Sequence, residues 1–195
     1  LVYLSKYFGL PEVANFWESV VKLNNWHQNR ISKLILKKLF GTISGKKICI
    51  LGFAFKSNTN DTRESAAINI CYDLLEEGAI LSINDPKVTA SQIELDLGIP
   101  ESKINSDLNE GDEHTVENQW EFHKNIELAS EGADAIVILT AWDEYSEIDW
   151  NKISQKMRKP SWVFDARSIV NPNDVIKAGL NFWRVGDGNE NFSNN

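Results

Sequence analysis

The residues of this chain with chemistry to offer a ligand crowd into one stretch, Lys46 to Ser65, which reads KKICILGFAFKSNTNDTRES. Lys56 brings a compact, mobile ammonium, and Arg63 a planar fork whose geometry suits phosphate oxygens. Phe53 and Phe55 can wall such a site with apolar surface. Singly, each has an ordinary alternative, a core phenylalanine or a solvated cation. Their joint placement behind the apolar run Ile48 to Leu51 points to a bound anion or sugar. Groups that make and break bonds are not on offer. Cys49 falls in a predicted strand and Cys71 in a predicted helix, so both read as buried thiols and neither as a nucleophile. His114 and His123 read as surface residues, because no spacing of His, Cys or carboxylate side chains matches a metal site. The sequence therefore nominates binding residues, but no catalytic residue and no metal.

A strand, a turn and a helix must position that stretch. The apolar run ends at Gly52, passes through a loop holding Phe53, Phe55 and Lys56, and enters a helical pattern near Arg63. In a doubly wound sheet the loop of a first crossover lies at the carboxyl edge of its strand, where ligands bind. A dinucleotide fingerprint needs three spaced glycines, and here Gly52 stands alone. Ahead of this unit, Leu1 to Gly9 reads as a lead-in and Pro11 as the opening of a helix. Val13, Phe16, Trp17, Val20, Ile31, Leu34, Ile35 and Leu39 recur at helical steps, giving one long helix or two in tandem up to Phe40. Its polar middle, Asn24 to Arg30, reads either as a solvated stretch or as part of a helix that links two domains and pairs with a second copy of the chain.

Behind the unit, Ala66, Ala67, Ile70, Cys71, Leu74 and Leu75 form a helical stripe that Gly78 stops. A strand follows over Ala79 to Ile83 and ends in Asn84, Asp85 and Pro86, where Asp85 either caps the turn or reads a ribose hydroxyl. Val88 to about Gln119 is acidic and aperiodic, an expected excursion from the sheet, with Asp107, Glu110, Asp112, Glu113 and Glu117 in one run. Trp120 to Ser130 reads as a helix. Ala135 to Leu139 reads as a buried parallel strand, with Thr140, Ala141 and Trp142 at its carboxyl end. A helix over Trp150 to Met157 leads to a strand over Trp162 to Phe164, which finishes in Asp165, Ala166 and Arg167. Pro172 to Lys177 is a predicted helix, Leu180 to Val185 a final strand, and Gly186 to Asn195 a polar tail.

Strands alternating with helices dictate a parallel α/β sheet with right-handed crossovers, so all the strand ends named above share one side. If the second strand pairs on one flank of the first and the strand at Ile136 on the other, the crevice between Phe55 and Thr140 is the topological switch point. A lone mononucleotide half of this kind can hold one nucleotide diphosphate, with Lys56 and Arg167 near anionic or sugar groups and loop amides donating alongside. The expected layout is a linker and long helix over 1–45, the sheet domain over 46–186 and the tail over 187–195.

Composition narrows the partners. A chain of 195 residues, 42% hydrophobic and 25% charged, is ordinary globular usage. A net charge of −8 argues against a nucleic-acid surface. No apolar run approaches the roughly 20 residues that cross a bilayer, so no membrane partner is expected. Two cysteines without a disulfide pattern fit a reducing, cytoplasmic compartment. Met157 is the only methionine, so the chain is expected to be a piece of a longer reading frame.

GFAFKSNTNDTRES resembles the G-[FL]-A-F-K-x-x-T-x-D-x-R-x-S signature of the nucleotide-sugar dehydrogenases, the UDP-glucose/GDP-mannose dehydrogenase family. The similarity runs from about Leu10 to about Val185 and covers only that family's C-terminal, UDP-sugar-binding part. It implies a Rossmann-like parallel sheet with helices on both faces, preceded by a long N-terminal helix that joins domains and forms a homodimer. It implies that Phe55 and Lys56 touch a UDP-sugar, that Arg167 in FDAR contacts the same ligand, and that Arg63 in DTRES reaches NAD held mainly by another domain. It implies a full-length parent that oxidises the C6 hydroxymethyl of UDP-glucose to a carboxylate with two NAD, through a thiohemiacetal and a thioester on a cysteine. WDEY and FDAR favour glucose over a UDP-N-acetylhexosamine or GDP-mannose. The family's three-glycine segment and catalytic cysteine motif are not found here, so the chain by itself is expected to be inactive. A self-standing nucleotide-binding module without catalysis is the alternative from a different class.

Overall fold

Among the described residues the strands that form are short and mostly apolar, and all lie parallel. The structure, a computed structural model, describes residues 1–102 and 119–187. Strands β1 (Lys47–Leu51), β2 (Ile80–Asn84), β3 (Trp120–Phe122), β4 (Ala135–Ile138), β5 (Trp162–Asp165) and β6 (Asn181–Arg184) stand in the order β3-β2-β1-β4-β5-β6. β1 therefore has β2 on one flank and β4 on the other, with Ile50 opposite both Ile83 and Val137. The chain is thus more than a lone mononucleotide half, since both halves of a doubly wound order are present.

Helices α1 (Val2–Tyr7), α2 (Pro11–Lys38), α3 (Ala66–Glu76) and α4 (Ala90–Leu97) precede β3 in the chain. Helices α5 (Ile126–Ala129), α6 (Asp143–Ser146), α7 (Trp150–Lys156) and α8 (Pro172–Lys177) follow it. α3 packs on α2, α4 and β2, whereas α5 packs on β1, β2 and α7, and α7 on α8, so both faces of the sheet are covered. Ile48, Ile50, Ile136 and Ile138 are buried at the centre, each contributing roughly 1.5–3 kcal/mol relative to exposure.

α2 is one uninterrupted helix of 28 residues, which settles the choice between one helix and two. Its C-terminal third buries Ile31 and Ile35, with Leu39 just beyond, where α2 meets α3. Ser32 Oγ donates to Asp73 at 2.6 Å and Asn69 Nδ2 to Gln28 Oε1 at 2.9 Å, fixing the pair of helices in register. Upstream, Val13, Phe16, Val21, Leu23 and Trp26 are exposed.

Three predictions fail locally. Trp120 to Ser130 is not one helix but β3 followed by α5. Trp120 is fully buried, its indole N–H donates to Ile99 O at 3.0 Å, and the ladder runs from Leu81 N–H to Gln119 O and from His123 N–H to Ile83 O. The helix begins only after Asn125, whose side chain caps Leu128 N–H at 3.1 Å. The supposed lead-in contains α1. The excursion after Val88 contains α4, capped by Thr89 at its start and by Gly98 in the left-handed conformation at its end. Residues 103–118, which hold the acidic run and His114, and 188–195, most of the polar tail, lie outside the described residues.

Candidate functional site

Three loops meet at the carboxyl edge beside the β1/β4 switch. Gly52 sits at φ +94°, and a Cβ there would stand 2.4 Å from Thr140 Cβ, so only glycine lets the loop after β1 press against the loop after β4. Thr140 Oγ1 donates to Ala54 O at 2.7 Å. Arg167, on the loop after β5, donates from Nε to Leu139 O at 2.6 Å and from Nη2 to Phe55 O at 3.5 Å. Asp165, fully buried, holds that third loop by accepting from Arg167 N–H and Val170 N–H, each at 2.9 Å. Phe55, Thr140 and Arg167, far apart in the chain, are thus neighbours on one rim.

Phe55 is 47% exposed and can face a ligand, but Phe53 is fully buried and belongs to the core, which corrects the reading of both as a wall. Lys56 is exposed, and its ammonium makes no hydrogen bond or ion pair among the described residues. Arg63 is 88% exposed and grips its own neighbour, with Nε on Asp61 Oδ1 at 2.9 Å and Nη2 on Asp61 Oδ2 at 2.7 Å. Those bonds hold the Asp61 carboxyl down at about 2.

Of the loop amides expected to donate to a ligand, those of Gly52 to Phe55 are already committed. Gly52 N–H donates to Asn84 O at 2.8 Å and Phe55 N–H to Asp61 O at 2.9 Å. Phe53 N–H and Ala54 N–H both donate to Asp85 Oδ2, at 2.8 and 3.0 Å. Asp85 is 3% exposed and caps its own turn as well, Oδ1 accepting from Lys87 N–H and Val88 N–H at 2.8 and 2.9 Å. It is a turn cap and not a ribose reader. With one glycine, the amides of Gly52 to Phe55 committed and this aspartate turned inward, the first crossover loop does not fit a pyrophosphate bound in the doubly wound manner.

The remaining titratable groups add no chemistry. Burial pushes the Cys49 thiol up to about 12, the charge of Lys47 opposing it only in part, and burial raises Cys71 too, so neither is a nucleophile at neutral pH. His123 is not a surface residue, since it is half-buried with Nε2 3.0 Å from Glu121 Oε1. Lys47 Nζ lies 2.8 Å from the same oxygen. Burial alone would raise Glu121, yet the hydrogen bonds of Lys47 and His123 hold it below its ordinary value. A neighbouring cleft between Lys124 and Asp149 carries Glu127, Glu144 and Glu147 and so repels phosphate. The cleft between α2 and α3, lined by Ser32, Lys33 and Asp73, opens towards the opposite edge of the sheet. Among the described residues no group of His, Cys, Asp and Glu can hold a metal ion, and no helix is long and apolar enough to cross a membrane.

A parallel sheet in this order, with the Arg167 guanidinium at its switch point, defines the class of open α/β nucleotide-binding domains. The sequence profile described as the UDP-glucose/GDP-mannose dehydrogenase family, UDP binding domain, matches residues 49–172. The chain is 41% identical over 186 residues to a UDP-glucose 6-dehydrogenase of Drosophila melanogaster, covering 95% of this chain and 38% of that protein. It is 39% identical over 193 residues to UDP-glucose 6-dehydrogenase 5 of Oryza sativa subsp. japonica, covering 95% of this chain and 39% of that protein. Among solved structures, a UDP-glucose dehydrogenase from Pyrobaculum islandicum superposes with a TM-score of 0.66 at 21% identity, over 93% of this chain and 34% of that one, a likeness of fold. This chain belongs to the UDP-glucose/GDP-mannose dehydrogenase family and comprises its UDP binding domain. It spans about two fifths of the length of the curated relatives it matches.

Proposed function

We propose that this chain is the UDP-sugar-binding part of a longer NAD-dependent dehydrogenase that oxidises UDP-glucose to UDP-glucuronate. The observation that carries the reading is the meeting of Phe55, Thr140 and Arg167 at the β1/β4 switch, with the uncommitted ammonium of Lys56 one residue further along the same loop. Lys56 reaches sugar hydroxyls or phosphate oxygens, Phe55 supplies an apolar contact, and Arg167 turns its remaining N–H donors to the ligand. Arg63 exchanges Asp61 for the pyrophosphate of an NAD held mainly by the rest of the parent, where that cofactor accepts hydride. Relatives of about 39–41% identity that are UDP-glucose 6-dehydrogenases support glucose as the sugar.

The layout is a linker and long helix over 1–45, the binding domain over 46–186 and a tail over 187–195. The exposed apolar side chains of α1 and α2 support a homodimer built through the long helix, in the cytoplasm. The chain alone performs no oxidation, because Cys49 and Cys71 are buried and the first crossover loop does not fit the pyrophosphate of a dinucleotide. Titration with UDP-glucose, UDP-N-acetylglucosamine and GDP-mannose tests the reading. UDP-glucose is expected to bind best, and Lys56→Ala to weaken it by about 1.5–3 kcal/mol, the worth of a charge-assisted hydrogen bond. Equal or absent binding of all three, or NADH production by the chain alone, would overturn it.

A further inference from the structure

In a doubly wound fold the acidic residue after the second strand stands where a ribose hydroxyl is read, and in this chain Asp85 occupies that place. Its carboxylate is saturated. Oδ2 takes the N–H groups of Phe53 and Ala54 together with the indole N–H of Trp142 at 3.2 Å, while Oδ1 takes those of Lys87 and Val88. A carboxylate has about four lone-pair sites, so five N–H groups leave nothing for a ligand. The five come from three loops: those after β1, β2 and β4.

A turn cap alone needs only the two donors on Oδ1. The three on Oδ2 are long-range, and all act on elements that frame the crevice. Beyond Ala54 the same loop is held by Thr140 through Ala54 O, by Ser65 Oγ through Phe53 O at 2.8 Å, and by Asp61 through Phe55 N–H. Every backbone group named from Gly52 to Phe55 is tied down, and Lys56, whose charge reaches Asp61, follows with a side chain that makes no hydrogen bond or ion pair among the described residues. Asp85 is the charged group that ties Phe53 and Ala54, with Arg167 reaching Phe55 O at 3.5 Å, and charge-assisted bonds are roughly twice as strong as neutral ones. Its field is felt on α6, where Glu144 and the buried Tyr145 are raised by burial first and by Asp85 next.

We infer that Asp85 is a positioning residue for ligand binding: it anchors the Phe53–Ala54 segment against Trp142 and so holds Lys56 at the height the bound nucleotide sugar requires. The inference rests on the proposed function for the identity of the ligand, and on the geometry alone for the anchoring. It also assigns Trp142 a part, since its indole bridges the β4 loop to the same oxygen, with Lys87 Nζ 5.9 Å above its ring.

The decisive variant is Asp85→Ser, whose short hydroxyl can still cap Lys87 and Val88 but cannot reach Phe53, Ala54 or Trp142. In 15N-labelled full chain, its Phe53 and Ala54 amides should exchange at least tenfold faster and the Trp142 indole resonance should shift, while Lys87 and Val88 keep their protection. Titrated with UDP-glucose, it should bind at least fivefold more weakly than wild type. Lys56→Ala should then cost little more in the Asp85→Ser background, because the ammonium is already misplaced. Asp149→Ala, which removes the α7 cap, whose bonds go to Asn151 and Lys152 and not to this loop, controls for general destabilisation and should leave affinity within twofold. Should Asp85→Ser fail to fold, Asp85→Asn carries the same measurements, its amide replacing one acceptor oxygen by a donor. The inference is overturned if the freed amides leave affinity unchanged, or if Lys56→Ala costs the same in both backgrounds. A wild-type chain that binds none of the three nucleotide sugars overturns the proposed function and, with it, this role. Binding lost on Lys56→Ala but kept on Asp85→Ser overturns this role alone.

Discussion

The carboxyl-edge loops and the N-terminal arm are opposite solutions in one chain. In the loops the polar groups are spent internally: Asp85, Asp165, Thr140 and Arg167 consume backbone amides and carbonyls from the loops after β1, β2, β4 and β5, leaving the tip of Lys56 without a hydrogen bond among the described residues. In the arm, α1 and the first two thirds of α2 leave Tyr3, Tyr7, Phe8, Phe16, Leu23 and Trp26 more than half exposed. The difference teaches which part of the molecule is complete. A site whose scaffold is satisfied needs only its ligand, whereas the apolar surface on this helix is what supports the proposed homodimer.

The contrast breaks most visibly if the loops prove tolerant. Phe53→Ala should cost about 3–5 kcal/mol of stability, as truncation of a fully buried ring does, while Phe55→Ala, two positions on, should stay within about 0.5 kcal/mol. Urea unfolding of the two variants checks this, and equal losses would contradict the assignment of one ring to the core and the other to the rim. Gly52→Ala should cost about 3 kcal/mol, from the left-handed backbone and the collision with Thr140 together, read from the same unfolding curves.

The arm should respond in the opposite way. Phe16→Glu with Trp26→Glu is expected to shift the proposed homodimer to monomer in sedimentation, while the unfolding stability of the monomer stays within about 0.5 kcal/mol, since neither ring is in the core. The smallest effect concerns the exposed Asp61–Arg63 pair. Asp61 is depressed from 3.8 to about 2, so its contribution is complete above the unfolded value and is lost as pH falls through about 2. An NMR titration should place its midpoint near 2, and Arg63→Ala, which removes the side-chain bonds but keeps the backbone N–H bond, should raise it towards the ordinary carboxylate range.

Much of the loop region was legible because its strands are buried on both faces and read as unbroken apolar runs: ICIL, AIVI and WVF each appear within a residue or two of their true bounds. The convergence of Phe55, Thr140 and Arg167 followed from topology alone. What remained hidden was orientation. Phe53 and Phe55 are the same residue type two positions apart, and nothing local says which one turns inward. Asp85 offered two uses in the sequence, and only the three-dimensional approach of Phe53, Ala54 and Trp142 decides between them. β3 was misread because three residues are too few to show alternation beside a helix-like continuation, although Asn125 is a cap signal that argues against a helix running through it. α4, with Ile93 and Leu97 as its two buried side chains, is too short to declare a period.

Strand order also governs how this sheet can be assembled in time. The central strand is flanked on one side by β4, and the bond from Lys47 N–H to Asp134 Oδ2 that opens this pairing joins residues 87 positions apart. No hairpin shortens the search, because parallel neighbours require a crossover. A ribosome must therefore deliver the 87 positions from Lys47 to Asp134 before β1 meets its second neighbour. Until then its apolar edge waits uncovered, a long-range closure of the kind that slows folding and invites chaperones.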